Sequence, residues 1–293
     1  MERTVPSSRE IRRRIRSVKN IRQITKAMET VSASKMRRAQ QQTLASRPYA
    51  QKAQEVLGSL ARQSRGGSSL HPLLQQRDER NVVLILVTAD RGLAGSFNSN
   101  MLREALRWMR EQRGTVNVIT VGKKGRDFVR RINRPILAEF TPLPEPPSLN
   151  FALPIARIAL DEFLKGNIDA AYIGYTDFVS ALRQRPEVRR ILPLEPVWEG
   201  QKPAMVDYIY EPSPEAILDS VLPRFTELQV YQAILESVAS EHSSRMVAMR
   251  NANEAAGELI DGLTLTYNKA RQEGITREIL DIAGGSAALE QAR

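Results

Sequence analysis

The sequence predicts an α/β fold in which a long antiparallel coiled coil of N- and C-terminal helices carries a central α/β domain. Three observations predict it. From about Arg9 to Leu60 no glycine precedes Gly58, and Pro48 is the only proline. From about Pro214 to Leu289 the only internal proline is Pro223, near the start. Between these stretches short apolar runs alternate with helical patterns. At helical rise the two ends would span roughly 75 Å and roughly 110 Å, whereas an ordinary domain has a radius of gyration of about 13 to 20 Å. Rods of that length project from a globule and need a partner to cover them.

In the first helix the apolar positions Ile11, Ile15, Val18, Ile21, Ile24, Met28 and Val31 recur at a mean spacing near 3.3. That is closer to a coiled-coil seam than to the 3.6 stripe of a globular helix. In the last helix Ile217, Val221, Phe225, Leu228, Tyr231, Leu235 and Val238 recur every 3.5 residues. Two seams in one chain, both tied to the same central region, suggest an antiparallel intramolecular pair. The second helix is longer, so its end should protrude past the first by roughly 30 Å. That end, Asp281-Ile-Ala-Gly-Gly-Ser-Ala-Ala-Leu289, is small and apolar.

Gln63 to Arg80 reads as a linker rich in glycine, serine and charge. Asn81-Val-Val-Leu-Ile-Leu-Val-Thr88 is a continuous apolar run of the kind that buried parallel strands show. Helices are expected over 98–113, 123–132 and 151–165, and strands over 116–121 and 169–176. This alternation argues for a mostly parallel sheet, Rossmann-like in outline. Thr141 to Pro147 is a proline-rich loop, and Val206 to Tyr210 a short extended segment. The domains expected are residues 1–68, 78–205 and 210–293.

The chain is basic, with a formal net charge of +10. Residues 1–50 hold 13 lysines and arginines against three acids, and the rest is balanced. The positive field is therefore assigned to the first helix and to whatever that helix meets. No apolar run approaches the ~18 residues of a membrane span. Arginines 9, 12, 13, 14 and 16 break up any signal-peptide core, which points to the cytoplasm. The absence of cysteine excludes disulfides, thiol catalysis and thiolate metal sites.

Asp90-Arg-Gly-Leu-Ala-Gly-Ser-Phe-Asn98 follows the first strand and opens a helix, where α/β folds bind nucleotide phosphates. It lacks the Gly-x-Gly-x-x-Gly pattern, and no phosphate loop occurs anywhere in the chain. Together with Gly122-Lys-Lys-Gly125 it reads as a structural turn. His71 and His242 are isolated in sequence and suggest neither a triad nor a metal site. No cofactor is expected. The Arg9–Arg22 stretch leaves three readings open: a basic helix contacting nucleic acid, one lying on a membrane surface, or one facing acidic protein surfaces. A nucleotide-dependent enzyme on residues 78–205 is a further rival.

Ile24-Thr-Lys-Ala-Met-Glu-Thr-Val-Ser-Ala-Ser-Lys-Met-Arg-Arg-Ala-Gln40, continued by Ser46-Arg-Pro-Tyr49, resembles the N-terminal signature of the gamma subunit family of F-type ATP synthases. Thr88-Ala-Asp-Arg-Gly-Leu-Ala-Gly95 with Asn98 is similar to the segment after that family's first strand, with alanine where a cysteine is often found. Tyr267-Asn-Lys-Ala-Arg-Gln272, Ile275-Thr-Arg-Glu-Ile-Leu-Asp281 and Gly285-Ser-Ala-Ala-Leu289 resemble its C-terminal signature, with Ser286 in place of the usual alanine. The resemblance covers essentially the whole chain. It implies a non-catalytic central rotor shaft that couples proton-driven rotation to ATP synthesis on the beta subunits. By the same resemblance, three alpha and three beta subunits surround the coiled coil and contact Lys26, Met28, Lys35, Arg271, Gln272, Thr276 and Glu278. The epsilon subunit and the ring of c subunits meet the base, with Trp198, Tyr208 and Glu211 as the footing. The protein is then peripheral to the cell membrane on its cytoplasmic side and binds no nucleic acid. The alternative is a basic coiled-coil nucleic-acid-binding protein.

Overall fold

The computed structural model describes residues 8–63, 71–194 and 214–291. The extended segment expected at Val206 to Tyr210 and the footing residues Trp198, Tyr208 and Glu211 lie outside them. In chain order the elements are α1 (Ser8–Gln63), a 3-10 turn (Pro72–Leu74), β1 (Asn81–Val87), α2 (Phe97–Glu111) and β2 (Thr115–Val121). Next come α3 (Lys123–Arg131), β3 (Ile136–Phe140), α4 (Leu149–Leu164), β4 (Ala170–Phe178), β5 (Gln184–Leu192) and α5 (Pro214–Gln291). The chain divides into two compact units, one of residues 32–245 and one combining 1–31 with 246–293.

The larger unit is built on a five-stranded sheet in the order β3-β2-β1-β4-β5. β1 to β4 are mutually parallel, and β5 returns antiparallel along β4. β1 is central and buried on both faces, which is why its sequence is an unbroken apolar run. Val82, Leu84 and Leu86 pack under α2 and α3. Val83, Ile85 and Val87 face α4, α5 and Ala39 of α1. The apolar series from Ile217 to Val238 therefore belongs to a globular core and is not a coiled-coil seam. From Ala233 to Ser243 every residue is buried, on all sides of the helix. Its small residues let it lie close to the sheet. Ser240 Oγ donates to Thr176 O at 3.1 Å and Ser243 Oγ to Ala181 O at 2.6 Å. Leu73 lies inside the stretch expected to be a plain linker and is fully buried.

β3 and β5 are absent from the sequence-based expectation. β3 is five residues long with only alternate positions partly buried. β5 carries Arg185, Pro186, Glu187, Arg189 and Arg190. Both are edge strands, and charge and proline on an edge deter pairing with other chains. The same chemistry hides them from a reading based on apolar runs.

The smaller unit is a two-helix coiled coil. Arg250 Nε donates to Glu29 Oε1 at 3.2 Å. A Cβ at Gly257 would sit 3.6 Å from the guanidinium carbon of Arg22. Seven residues back along α1 match seven residues forward along α5, so the helices run antiparallel. On α5 the seam runs through the buried or half-buried Met249, Asn253, Ala256, Ile260, Leu263, Tyr267 and Ala270, alternating by four and three, with Ala252 and Gly257 half-buried at its flanks. On α1 the seam follows Ile11, Ile15, Val18, Thr25 and Glu29. The expected seam is thus right through Val18 and then departs: Ile21, Ile24 and Val31 are 50%, 59% and 54% exposed. The chain buries polar residues beside them because each finds a partner. Thr25 Oγ1 donates to Arg22 O, and Glu29 is clamped between Lys26 and Arg250.

The turn from β2 into α3 allows one substitution to probe the larger unit. Gly122 has φ +97°, and a Cβ there would lie 2.1 Å from the Thr88 carbonyl oxygen. Gly122→Ala is expected to lower the unfolding free energy by about 2 kcal/mol or more. A denaturant midpoint unchanged from wild type would refute that reading of the turn.

Candidate functional site: helical surfaces and a buried polar hub

The outward face of the helical unit is the first candidate. Ile21, Ile24 and Val31 form an exposed apolar stripe on α1 next to the buried seam, with Met28 half-buried between them. Lys26 lies on the opposite flank of the seam, its side chain 63% exposed while its Nζ reaches Glu29 Oε2 at 3.1 Å. Lys26, and then Arg250, hold the Glu29 carboxyl below its usual range against the opposing effect of burial. Continuing the observed register, Ser8 stands opposite Arg271. Beyond that point the seam ends, and about 30 Å of α5 remains without an α1 partner among the described residues. Side chains 271–284 are all exposed, including Ile275, Ile279, Leu280 and Ile282. Arg271, Gln272, Thr276 and Glu278 stand on this stretch. Water-facing isoleucines and leucines in such a row mark an interaction surface.

The loops at the C-terminal ends of β1 and β2 are the second candidate, since α/β folds bind ligands beyond the carboxyl ends of their strands. Here backbone amides are satisfied by side chains of the protein. Asp90 Oδ1 accepts from Lys123 N at 2.9 Å, at the start of α3, and Oδ2 accepts from Leu143 N at 2.7 Å. Thr88 Oγ1 accepts from Gly125 N at 2.8 Å, and Asn98 Oδ1 from Ala89 N at 3.0 Å. A carboxylate at the helix start satisfies its free amides and repels a second anion. The motif from Asp90 to Asn98 is a structural turn, as its sequence suggests.

The third candidate was not visible in sequence. Lys35 of α1 pairs with Glu145 of the proline-rich loop. Glu145 Oε1 lies 3.8 Å from His242 Nε2, and His242 Nδ1 lies 3.3 Å from Arg245 Nη1. Arg245 Nη2 donates to Glu241 Oε1 at 2.6 Å and to Gly92 O at 3.3 Å. These groups adjoin a cavity of about 50 Å³ lined in part by Lys35, Arg38, Glu145 and His242. Glu145, Glu241 and His242 could each offer a ligand atom to a metal ion, within 4.8 Å of one another. Lys35 and Arg245 already pair with the two carboxylates, so a divalent ion would have to displace them. The arrangement works as an ion-pair hub joining α1, the loop and α5. His242 looked isolated because Glu145 lies far away in sequence. His71 has a structural role: its Nδ1 accepts from Leu73 N and its Nε2 lies 2.9 Å from Asp219 Oδ1.

Burial pushes the His242 imidazole down to about 4, with Arg245 and Lys35 adding to the shift and Glu145 opposing it. An unfolded histidine titrates near ~6.5, so between these values the unfolded chain binds a proton that the folded chain refuses. The fold therefore loses stability as pH falls through that window, by ~3 kcal/mol in full. His242→Asn should show a flatter dependence of denaturation midpoint on pH between ~6.5 and ~4 than wild type. Parallel curves for the two proteins would mean that His242 is not held neutral.

The family model described as ATP synthase matches residues 7–289. The gamma chain of Herpetosiphon aurantiacus ATP synthase is 53% identical, covering 97% of this chain and 99% of its own. That of Roseiflexus castenholzii is 52% identical over 98% of this chain and 100% of its own. That of a Dehalococcoides mccartyi strain is 50% identical over 96% and 98%. Among solved structures, a chain of the Euglena gracilis mitochondrial ATP synthase (OSCP/F1/c-ring) superposes with a TM-score of 0.67. It is 21% identical and covers 96% of this chain and 94% of its own. A chain of the Tetrahymena thermophila central stalk and c-ring gives 0.59 at 24% identity, covering 78% and 99%. These two likenesses establish the fold, a long helical pair joined to a parallel-dominated sheet. Matched from end to end and half identical to curated gamma chains, the chain belongs to the ATP synthase gamma chain family.

Proposed function

We propose that this chain is the central rotor shaft of an F-type ATP synthase, turning inside a ring of three alpha and three beta subunits. The observation that carries the reading is the helical pair with an apolar outer stripe and a longer helix exposed from Arg271 to Gly284. Exposed apolar rows of this length mark a surface that a surrounding partner covers. The shaft performs no chemistry itself, and nucleotide turnover is assigned to the beta subunits. Mechanically, it is a ligand with different affinity for each conformation of the subunits around it, and rotation redistributes those affinities. Weak, solvated contacts suit that task, since fully desolvated ion pairs would resist re-forming at every step.

Lys26, Met28 and Lys35 on α1, and Arg271, Gln272, Thr276 and Glu278 on α5, are the proposed contacts with alpha and beta. Lys35 would share its charge between Glu145 and a partner carboxylate. Trp198, Tyr208 and Glu211 are proposed for the footing on epsilon and the c-ring. By domain, residues 1–68 and 210–293 would supply the shaft and 78–205 its base, with residues 32–63 and 214–245 of the two long helices belonging to the base unit. No helix among the described residues is long and apolar enough to cross a membrane. The chain is placed peripherally, on the cytoplasmic side of the cell membrane, by its partners. The alternative of a basic coiled-coil nucleic-acid-binding protein gains nothing from the family match.

Arg271→Ala combined with Gln272→Ala should reduce ATP-driven proton pumping severalfold in membranes carrying the complex. The isolated chain should stay folded, because both side chains are exposed. Pumping at the wild-type rate would remove these two residues from torque transfer.

A further inference from the structure

Helices α2 and α3 cover one face of the sheet, laying Met101, Ala105, Met109 and Val129 on β1 and its neighbours. Their other side faces water and is strongly basic. Residues 97–134 hold ten lysines and arginines against three acids, Glu104, Glu111 and Asp127. The basic excess of the chain is thus not confined to α1, as the sequence totals suggested; acids elsewhere in the chain mask this second patch. Arg103 and Arg110 of α2, Lys124 and Arg131 of α3 and Arg134 just beyond are all exposed. None of these five makes an ion pair among the described residues, although Arg107 reaches Glu104 at 2.5 Å. The internal packing of the sheet uses none of these charges.

We propose that the outer face of α2 and α3 docks on a surface of anionic lipid headgroups. The inference rests on the membrane-associated complex proposed above, and two features of the face select this partner. Folded protein partners bury an apolar centre ringed by polar groups. No large apolar side chain between residues 97 and 134 is exposed, so the face offers no such centre. The cations are also spread over two helices and do not converge on a pocket, which suits diffuse negative charge better than a single bound anion. A headgroup layer supplies that charge, and each lysine or arginine held within a Debye length of it raises partition by about fivefold. Such a layer is fluid. A turning face can move across it without breaking fixed pairs.

The test is sedimentation of the full chain with phosphatidylcholine vesicles, with and without phosphatidylglycerol. The face variant Arg103→Gln, Arg110→Gln, Arg131→Gln, Arg134→Gln changes only exposed side chains. A control variant carries Arg12→Gln, Arg13→Gln, Arg14→Gln and Arg16→Gln on α1, which would otherwise contribute binding of its own. Binding should require phosphatidylglycerol, and the four face substitutions should weaken it by about tenfold or more, in wild type and in the control background alike. Equal vesicle binding with and without the face substitutions would overturn the proposal. So would face-dependent binding to polyglutamate or duplex DNA that is tighter than binding to vesicles at the same ionic strength. Assembly with alpha and beta subunits is read separately: its failure in wild type would overturn the shaft reading whatever the vesicles show.

Discussion

The structure depends on one helix being buried on every side. Between Ala233 and Ser243, α5 is enclosed by the sheet, α4 and α1, and no residue of that stretch reaches water. Full burial of each large aliphatic side chain contributes ~1.5 to 3 kcal/mol. Ile234, Leu235 and Val238 alone therefore commit the larger unit to having α5 in place. The same unbroken helix, 78 residues long, then supplies one strand of the coiled coil. One continuous helix thus contributes to both the sheet-based unit and the coiled coil.

Polar groups are used in the interior where they set position. Glu29 in the coiled-coil seam is held by Lys26 and Arg250, and the pairing works in only one register. A charged seam position specifies alignment at some cost in stability. The hub of Lys35, Glu145, His242, Arg245 and Glu241 has the same logic in the larger unit. It joins three segments far apart in sequence, and its buried histidine stays neutral so that the cations beside it are not opposed. Asp90 completes the pattern by joining the start of α3 to Leu143 through its two carboxylate oxygens.

Much of this was legible in sequence, for identifiable reasons. β1 announced itself because a strand buried on both faces must be continuously apolar. The two long helices followed from the absence of breakers, and the exposed end of α5 from the difference in their lengths. The seam on α1 was misread after Val18, because periodicity treats every isoleucine as buried. Ile21, Ile24 and Val31 face outward instead, and Thr25 and Glu29 take the inner positions through hydrogen bonds that no hydropathy pattern records. β3 and β5 escaped because edge strands carry charge and proline. The hub escaped because its members are brought together only by the fold, and the basic face of α2 and α3 because chain-wide totals average it away.

The central claim is that the apolar stripe on α1 and the exposed end of α5 exist to be enclosed by a ring of other subunits. Co-expression with the alpha and beta subunits of the same organism's ATP synthase, followed by purification on a tag at Met1, tests it most directly. The account predicts one copy of this chain in a complex that hydrolyses ATP, with Ile24 and Ile279 shielded from solvent labelling that reaches them in the isolated chain. A chain that purifies alone, or with nucleic acid in place of these subunits, would contradict it.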